Sequence, residues 1–114
     1  NLLEIPKWIF KINSLEELSL SNNYIKHIPP EIGFLTNLRK LFLSNNKIQF
    51  IPGTLGSLIK LEELRIGKNE VNHLPNAMKN LRKLTVLELI FNPIKESNLF
   101  LGEYKSLQEF LASL

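Results

Sequence analysis

A pattern of 23 residues repeats four times in one register and constrains the fold of this chain more than any other feature. The pattern is LxxLxLxxNxIxxIPxxIgxLxx, and its copies begin at Leu15, Leu38, Leu61 and Leu84. The same residue types recur in the same columns, so each copy is expected to adopt the same local structure. Such periodicity is typical of a solenoid, in which successive copies stack side by side.

The first part of each copy, LxxLxLxxN, predicts a short strand, because alternating leucines place their side chains on one face and the intervening residues on the other. Four parallel strands are expected near residues 17–20, 40–43, 63–66 and 86–89. One copy buries about seven apolar side chains, each contributing roughly 1.5–3 kcal/mol. Ordering its backbone costs about 1–2 kcal/mol per residue. One copy therefore cannot fold alone, and stacking must supply the stability.

An asparagine follows each strand, at Asn23, Asn46, Asn69 and Asn92. The chain must turn inward at this point, which leaves backbone N–H and C=O groups facing the interior. One amide side chain can both donate and accept hydrogen bonds, so it can satisfy several of these groups. The column predicts a buried structural ladder, whereas Asn45, one residue earlier, is expected to point outward without a structural role.

The repeats predict one domain, residues 1–114, with a partial repeat at 1–14 and full repeats at 15–37, 38–60, 61–83 and 84–106. The chain starts inside a repeat, with Asn1 instead of Met, so the natural start is expected upstream. Near the other end, apolar residues at helical spacing predict a capping helix over about 103–113. A fifth strand is the alternative, because Leu107 and Phe110 match its first two inward columns. Trp8 either packs over the rim or is an exposed partner site.

These copies resemble the intracellular, 23-residue class of leucine-rich repeats found in Ras-binding scaffolds, plant intracellular Ras-group proteins and Roco GTPases. The ending is also similar: Asn92-Pro93-Ile94 is followed, after a spacer, by a segment from Gly102 to Leu114 that resembles the class's terminal helix, although the usual prolines after Ile94 are missing. The resemblance implies an α/β fold: a right-handed leucine-rich repeat solenoid with one parallel sheet on the concave face. Short helical or extended returns would then lie on the convex face.

Composition and charge limit the kinds of partner and the cellular compartment that are expected. The net charge is +3, and basic pairs alternate with acidic pairs, which does not favour nucleic-acid binding. No apolar run is long enough for a membrane span. The absence of cysteine and of glycosylation sequons favours a reducing compartment, so we expect a cytoplasmic protein. We also expect it to be monomeric, without contact to nucleic acid or membrane.

Catalytic chemistry is not indicated. The chain contains no Asp and no Cys, which removes most triads, dyads and thiolate sites. His27 and His73 share a column two copies apart, at an expected separation of roughly 10 Å, too far to share a metal ion. We therefore predict no catalytic residue, no metal site and no cofactor.

The outward strand positions remain as the candidate partner-binding surface on the concave face: Phe42, Arg65, Lys40, Glu63, Glu88 and Ile90. Glu17, Lys40 and Glu63 are expected to form a cross-strand charge set. Four outward apolar residues have no evident folding role when exposed: Phe42, Val86, Ile90 and Phe91. A cap helix could cover Phe91. A non-catalytic scaffold for protein–protein interaction and signalling is predicted. The alternatives are the repeat segment of a larger Roco-type GTPase or signalling protein, and a purely structural spacer.

Overall fold

The computed structural model describes residues 1–94 and 107–114, and its regular elements recur once per repeat. Within these residues the strands are β1 (Glu17–Ser19), β2 (Lys40–Phe42), β3 (Glu63–Arg65) and β4 (Val86–Glu88). Short 3-10 helices span Lys7–Lys11, Pro30–Phe34, Gly53–Ser57 and Asn76–Asn80. One α-helix, α1, spans Leu107–Ala112. Each strand is one residue shorter than the repeat predicts.

The strands form one parallel sheet in the order β1-β2-β3-β4. Their register follows the repeat, so the second leucines of the copies lie in one row: Leu18, Leu41, Leu64 and Leu87. The predicted α/β leucine-rich repeat solenoid with one parallel sheet is therefore confirmed. The returns between the strands contain 3-10 helices, which decides between the helical and extended alternatives for the described repeats.

The core lies between the sheet and the 3-10 helices. Leu41 and Leu64, in the two central strands, are fully buried, whereas Leu87 in β4 is only partly buried. The prolines before the second, third and fourth 3-10 helices have φ near −69°, which orients the chain for the return. Burial is completed by the neighbouring copy, as expected when stability resides in the interface between repeats.

The asparagine column satisfies backbone groups in the interior. Asn46 Oδ1 accepts a hydrogen bond from the Ile25 N–H at 3.0 Å, and its Nδ2 donates to the carbonyls of Leu20 and Leu43 at 3.1 and 3.0 Å. The same amide oxygen accepts a backbone hydrogen bond in the other copies: Asn23 Oδ1 from the Leu2 N–H, Asn69 Oδ1 from the Ile48 N–H and Asn92 Oδ1 from the Val71 N–H. Each asparagine thereby connects two adjacent repeats.

The residue before each of these asparagines has a left-handed backbone. The φ values are 62° at Asn22, 58° at Asn45, 54° at Lys68 and 60° at Phe91. Asparagine tolerates this region better than other non-glycine residues. Asn45 also donates from Nδ2 to Asn22 Oδ1 at 2.8 Å. The expectation that Asn45 has no structural role was therefore wrong, because the turn itself requires its conformation.

Glycines on the convex side permit close approach of successive 3-10 helices. A Cβ added at Gly56 would lie 2.5 Å from the Ala77 carbonyl oxygen, and one at Gly33 would lie 3.0 Å from the Thr54 carbonyl oxygen. Backbone atoms cannot yield as a flexible side chain can. Gly33 and Gly56 are therefore required by the packing distance between successive repeats.

Residues Leu107–Ala112 form α1, a helix where a fifth strand was the alternative. Phe110 and Leu111 are buried, and Gln108 Nε2 donates to the carbonyls of Leu81 and Leu84 at 3.1 and 2.9 Å. The helix thus covers backbone acceptors of the preceding return. The predicted beginning of the helix near residue 103, and the rest of the segment 95–106, lie outside the described residues.

The partial repeat at the start joins the same core through Ile5, Ile9 and Phe10. Trp8 does not pack over the rim, because 65% of it is exposed. Its position in the first 3-10 helix corresponds to Glu31 and Thr54 in later copies, on the convex side. Across the described ranges, no helix has the length and hydropathy needed to cross a lipid bilayer.

Candidate functional site

The strand side chains that point away from the core form two rows across the sheet. The register aligns Glu17, Lys40, Glu63 and Val86 in one row, and Ser19, Phe42, Arg65 and Glu88 in the other. Short strands with a fixed register hold these side chains on a regular lattice. Five of the six predicted partner-binding residues lie in these two rows, and Ile90 follows β4.

Arg65 lies at the centre of an ion-pair network on this surface. Its Nε donates to Glu63 Oε2, and its Nη1 lies 3.4 Å from Glu88 Oε2. The hydrogen bond to Glu63 and the nearby carboxylates raise the pKa of Arg65 above its ordinary value. The guanidinium is therefore held between two carboxylates from β3 and β4.

Glu88 is fixed by groups from the two preceding repeats. Its Oε1 accepts from Ser44 Oγ at 2.7 Å and from the Gly67 N–H at 3.2 Å, while Oε2 faces Arg65. The hydrogen bond from Ser44, assisted by those from Gly67 and Arg65 and opposed by burial, lowers the pKa of Glu88. The carboxylate is thus stabilised in its charged form and in one orientation.

The expected cross-strand charge set is only half formed. Lys40 Nζ lies 3.6 Å from Glu17 Oε1, but Glu63 pairs with Arg65 of its own strand. Residues two apart on a strand share a face. The long Arg65 side chain can therefore reach Glu63 on its own strand as readily as a carboxylate on a neighbouring strand. The Glu63 side chain is 20% exposed.

Apolar side chains flank this network. Phe42 pairs in register with Arg65 and is half-buried. Ile90 and Phe91 are 59% and 71% exposed, so α1 does not cover Phe91 as the sequence allowed. Among the described residues they line, with Glu88, a pocket of about 570 Å³ next to β4. The concave surface thus presents charged groups between apolar ones.

A second set of ion pairs runs along the side of the solenoid at the beginning of the strands. Arg39 Nε lies 2.9 Å from Glu62 Oε2, and its Nη1 lies 3.5 Å from Glu16 Oε1. The hydrogen bond between Arg39 and Glu62 raises the pKa of Arg39 and lowers that of Glu62. These charges link adjacent repeats in the manner of cross-strand pairs.

His27 and His73 are both exposed, and His73 Nδ1 lies 3.3 Å from Asn72 Oδ1. Within residues 1–94 and 107–114, no three His, Cys, Asp or Glu side chains come together as metal ligands would. The predictions of no metal, no cofactor and no catalytic residue remain predictions.

Sequence reasoning missed Ser44 and Gly67, which hold Glu88. Both lie in the outward column that continues to Ile90, and a glycine in that column was a signal that a neighbouring group needs the space. A Cβ at Gly67 would lie 2.7 Å from Glu88 Oε1 and 3.1 Å from Ile90 Cγ2. The missing side chain lets the carboxylate reach the backbone.

The stacked copies, the single parallel sheet and the asparagine ladder define a leucine-rich repeat solenoid. The chain belongs to this family: the family model described as leucine-rich repeat region matches residues 2–112. Comparison with curated proteins gives no match.

Solved structures of leucine-rich repeat proteins are similar. A leucine-rich repeat protein of Leptospira interrogans is 41% identical over 80% of this chain and 23% of its own, with a TM-score of 0.78. The plant peptide hormone receptor RGFR1, solved in complex with RGF2, is 38% identical over 80% of this chain and 15% of its own, with a TM-score of 0.74. Internalin C2 of Listeria monocytogenes is 34% identical over 79% of this chain and 38% of its own, with a TM-score of 0.71. The chain therefore matches well under half the length of these relatives.

Proposed function

We propose that this domain is a non-catalytic protein-interaction module whose partner binds across the concave sheet. The observation that carries the proposal is the fixed arrangement of Glu63, Arg65 and Glu88. Ser44 and Gly67 donate hydrogen bonds to Glu88, and Arg65 donates to both Glu63 and Glu88. Groups that are already ordered lose little conformational entropy on binding, so they favour specific recognition.

The flanking apolar side chains support the same surface. Phe42 projects from the middle of the sheet beside Arg65, and Ile90 is exposed at the sheet's edge. Aromatic residues and arginine are enriched where a few interface residues dominate the binding energy. Phe42 is only half-buried, and its strand already buries Leu41 on the other face, so most of the core is formed without it.

The structural relatives are consistent with a protein or peptide partner. RGFR1 was solved in complex with RGF2, and the ectodomain of the plant receptor kinase GASSHO1/SCHENGEN3 was solved with CASPARIAN STRIP INTEGRITY FACTOR 2. These complexes concern proteins of which the chain spans a small part, so they support the class of partner and not its identity.

We further propose that the domain belongs to the intracellular 23-residue class of leucine-rich repeats. It would act as a signalling scaffold, as a monomer in the cytoplasm. The alternative is the repeat segment of a larger Roco-type GTPase. In that alternative, α1 would lead into a nucleotide-binding domain. A GxxxxGK[ST] motif in the sequence after Leu114 would decide for the alternative.

The test compares the two faces of the solenoid. Once a partner has been found, Phe42→Ala and Arg65→Ala are each expected to weaken its binding at least fivefold in isothermal titration. Both side chains are partly buried, so the melting temperature should fall slightly, and the titrations are run well below it. Glu31→Ala on the convex side is the control. Thr54 is unsuitable for that purpose, because its Oγ1 donates to the Pro30 carbonyl at 2.7 Å. Full-affinity binding by both concave variants, with loss at Glu31, would contradict the proposal.

A further inference from the structure

We infer that the concave surface selects an extended segment carrying an apolar residue and a Lys or Arg two positions apart. In this arrangement the apolar side chain packs on Phe42 and the cation binds Glu63 Oε1. The inference rests on the proposed function, since it names the chemistry of the partner at that same surface.

Glu63 is the carboxylate with a free acceptor. Its Oε2 accepts from Arg65, while Oε1 accepts no hydrogen bond from the residues that the structure describes. Glu88, in contrast, has both oxygens engaged by Ser44, Gly67 and Arg65. Since each carboxylate oxygen offers two lone pairs, Glu63 retains capacity for a partner's N–H groups.

The local charge favours a cation at this position. One guanidinium, that of Arg65, is shared between the carboxylates of Glu63 and Glu88, which leaves the group of three with an excess negative charge. Lys40 is the register partner of Glu63, but its ammonium pairs with Glu17 on the other side. Lys68 is exposed beyond the end of β3, two residues past Ile66.

The partial burial of Glu63 makes this electrostatic preference stronger. Its side chain is 20% exposed, against 65% for Glu17 in the same row. A carboxylate with reduced access to water interacts more strongly with an approaching charge, because less solvent screens the pair. A neutral or acidic group placed against Glu63 Oε1 would leave this acceptor desolvated without compensation.

The spacing between Phe42 and Glu63 matches an extended chain. Phe42 pairs with Arg65, so Glu63 is its diagonal neighbour two residues earlier on β3. Diagonal neighbours on adjacent strands lie about 7–8 Å apart. Side chains two residues apart on one face of an extended peptide are separated by roughly 6.5 Å. One such peptide can therefore reach both side chains from the same face.

The experiment uses a library of random linear peptides displayed on phage and selected against the whole domain. Recovered peptides are expected to share an apolar residue and a Lys or Arg at a spacing of two. Peptides of this kind should bind the Glu63→Gln domain about tenfold more weakly, the loss expected for one charge-assisted hydrogen bond. Glu31→Gln removes an equal charge from the convex face and should leave their affinity unchanged.

A double-mutant cycle separates direct contact from an indirect effect through Arg65. Replacing the basic residue of a selected peptide by Gln should cost about as much as Glu63→Gln, and the two changes together should cost little more than either alone. Additive losses would overturn the inference. Selection of acidic or neutral peptides that still require Phe42 would overturn it as well, while leaving the proposed function in place. Peptides that bind independently of Phe42, Arg65 and Glu63, or failure to recover any, would count against both.

Discussion

Glu88 lies over Gly67 so closely that its carboxylate oxygen Oε1 accepts a hydrogen bond from the glycine's N–H at 3.2 Å. A Cβ on residue 67 would be only 2.7 Å from the same oxygen. The oxygen also accepts from Ser44, so the carboxylate occupies the space that a side chain would fill and connects three repeats. The orientation of Glu88 therefore depends on a glycine in the neighbouring copy.

Gly67→Ala is expected to displace Glu88 without disturbing the sheet. The carboxylate is the end of a flexible side chain, so it can move away from the new methyl group, losing its bonds to Gly67 and Ser44. Because the displaced group becomes hydrated, the free energy of unfolding should fall by no more than about 1 kcal/mol in urea denaturation. Ser44→Ala removes one of the same bonds, so the double variant should lose less than the sum of the singles. Strictly additive losses would show that Glu88 does not link the two.

Gly56→Ala is expected to be far more damaging. Its Cβ would lie 2.5 Å from the backbone oxygen of Ala77, and that oxygen can move only if two 3-10 helices separate. Overpacking of this kind typically costs about 1–3 kcal/mol. Gly53, in the same 3-10 helix, has nothing within 4 Å of the added Cβ, so Gly53→Ala should melt near the parent temperature. Equal melting temperatures for the two variants would refute the close-packing explanation.

Substitutions at the adjacent Asn45 and Asn46 distinguish the stability contributed by the asparagine ladder from that contributed by the left-handed turn. Asn46→Ala leaves the buried Ile25 N–H without its acceptor, at about 1–3 kcal/mol. The carbonyls of Leu20 and Leu43 also lose a donor, but each keeps the amide of a neighbouring ladder asparagine. Asn45→Ala should cost about 1 kcal/mol, because alanine disfavours a φ of 58°.

Asn45→Gly should recover most of that smaller loss, whereas Asn46→Gly should recover none of the larger one. Chemical denaturation of the four variants gives the comparison. If Asn45→Gly is as unstable as Asn45→Ala, the backbone conformation is not the reason for the asparagine at this position.

The sequence was sufficient for the fold because the repeat constrains backbone and core together. Leu41 and Leu64 are identifiable as inward from their columns alone, and Asn46 from its offset to the strand. The outward residues obey no such rule, since their partners depend on side-chain reach. Arg65 could have paired with several carboxylates. It pairs with Glu63 on its own strand and with Glu88, which occupies the space above Gly67. That space is a property of the packed structure.

Phe91→Asn is expected to stabilise the domain. Phe91 combines a left-handed φ of 60° with 71% exposure, so it carries backbone strain without compensating burial. Asparagine, which occupies this column at Asn22 and Asn45, should raise the free energy of unfolding by about 1 kcal/mol. Lys68→Asn tests the backbone contribution alone and should give a similar gain. If Lys68→Asn stabilises and Phe91→Asn does not, the phenylalanine ring has a folding role.

Glu88 should make the domain sensitive to acid. Its pKa is lowered in the folded protein, chiefly by the hydrogen bond from Ser44, so the folded state binds this proton less readily than the unfolded state. The resulting stabilisation is fully present above the ordinary glutamate range and is lost as the pH falls through the lowered pKa of the folded protein. Glu88→Gln cannot titrate, so its free energy of unfolding should fall less than that of the parent between neutral and acidic pH.

Urea denaturation at a series of pH values measures this difference. Ser44→Ala should reduce the acid sensitivity in part, since it removes the hydrogen bond that contributes most to the lowered pKa of Glu88. Glu31→Gln, which removes an exposed carboxylate from the opposite face, is the matched control for the change of charge. Glu62, whose pKa is also lowered, stays in every variant, so some acid sensitivity should persist throughout. If Glu88→Gln and Glu31→Gln lose stability equally on acidification, the network around Glu88 does not stabilise its charged form in solution.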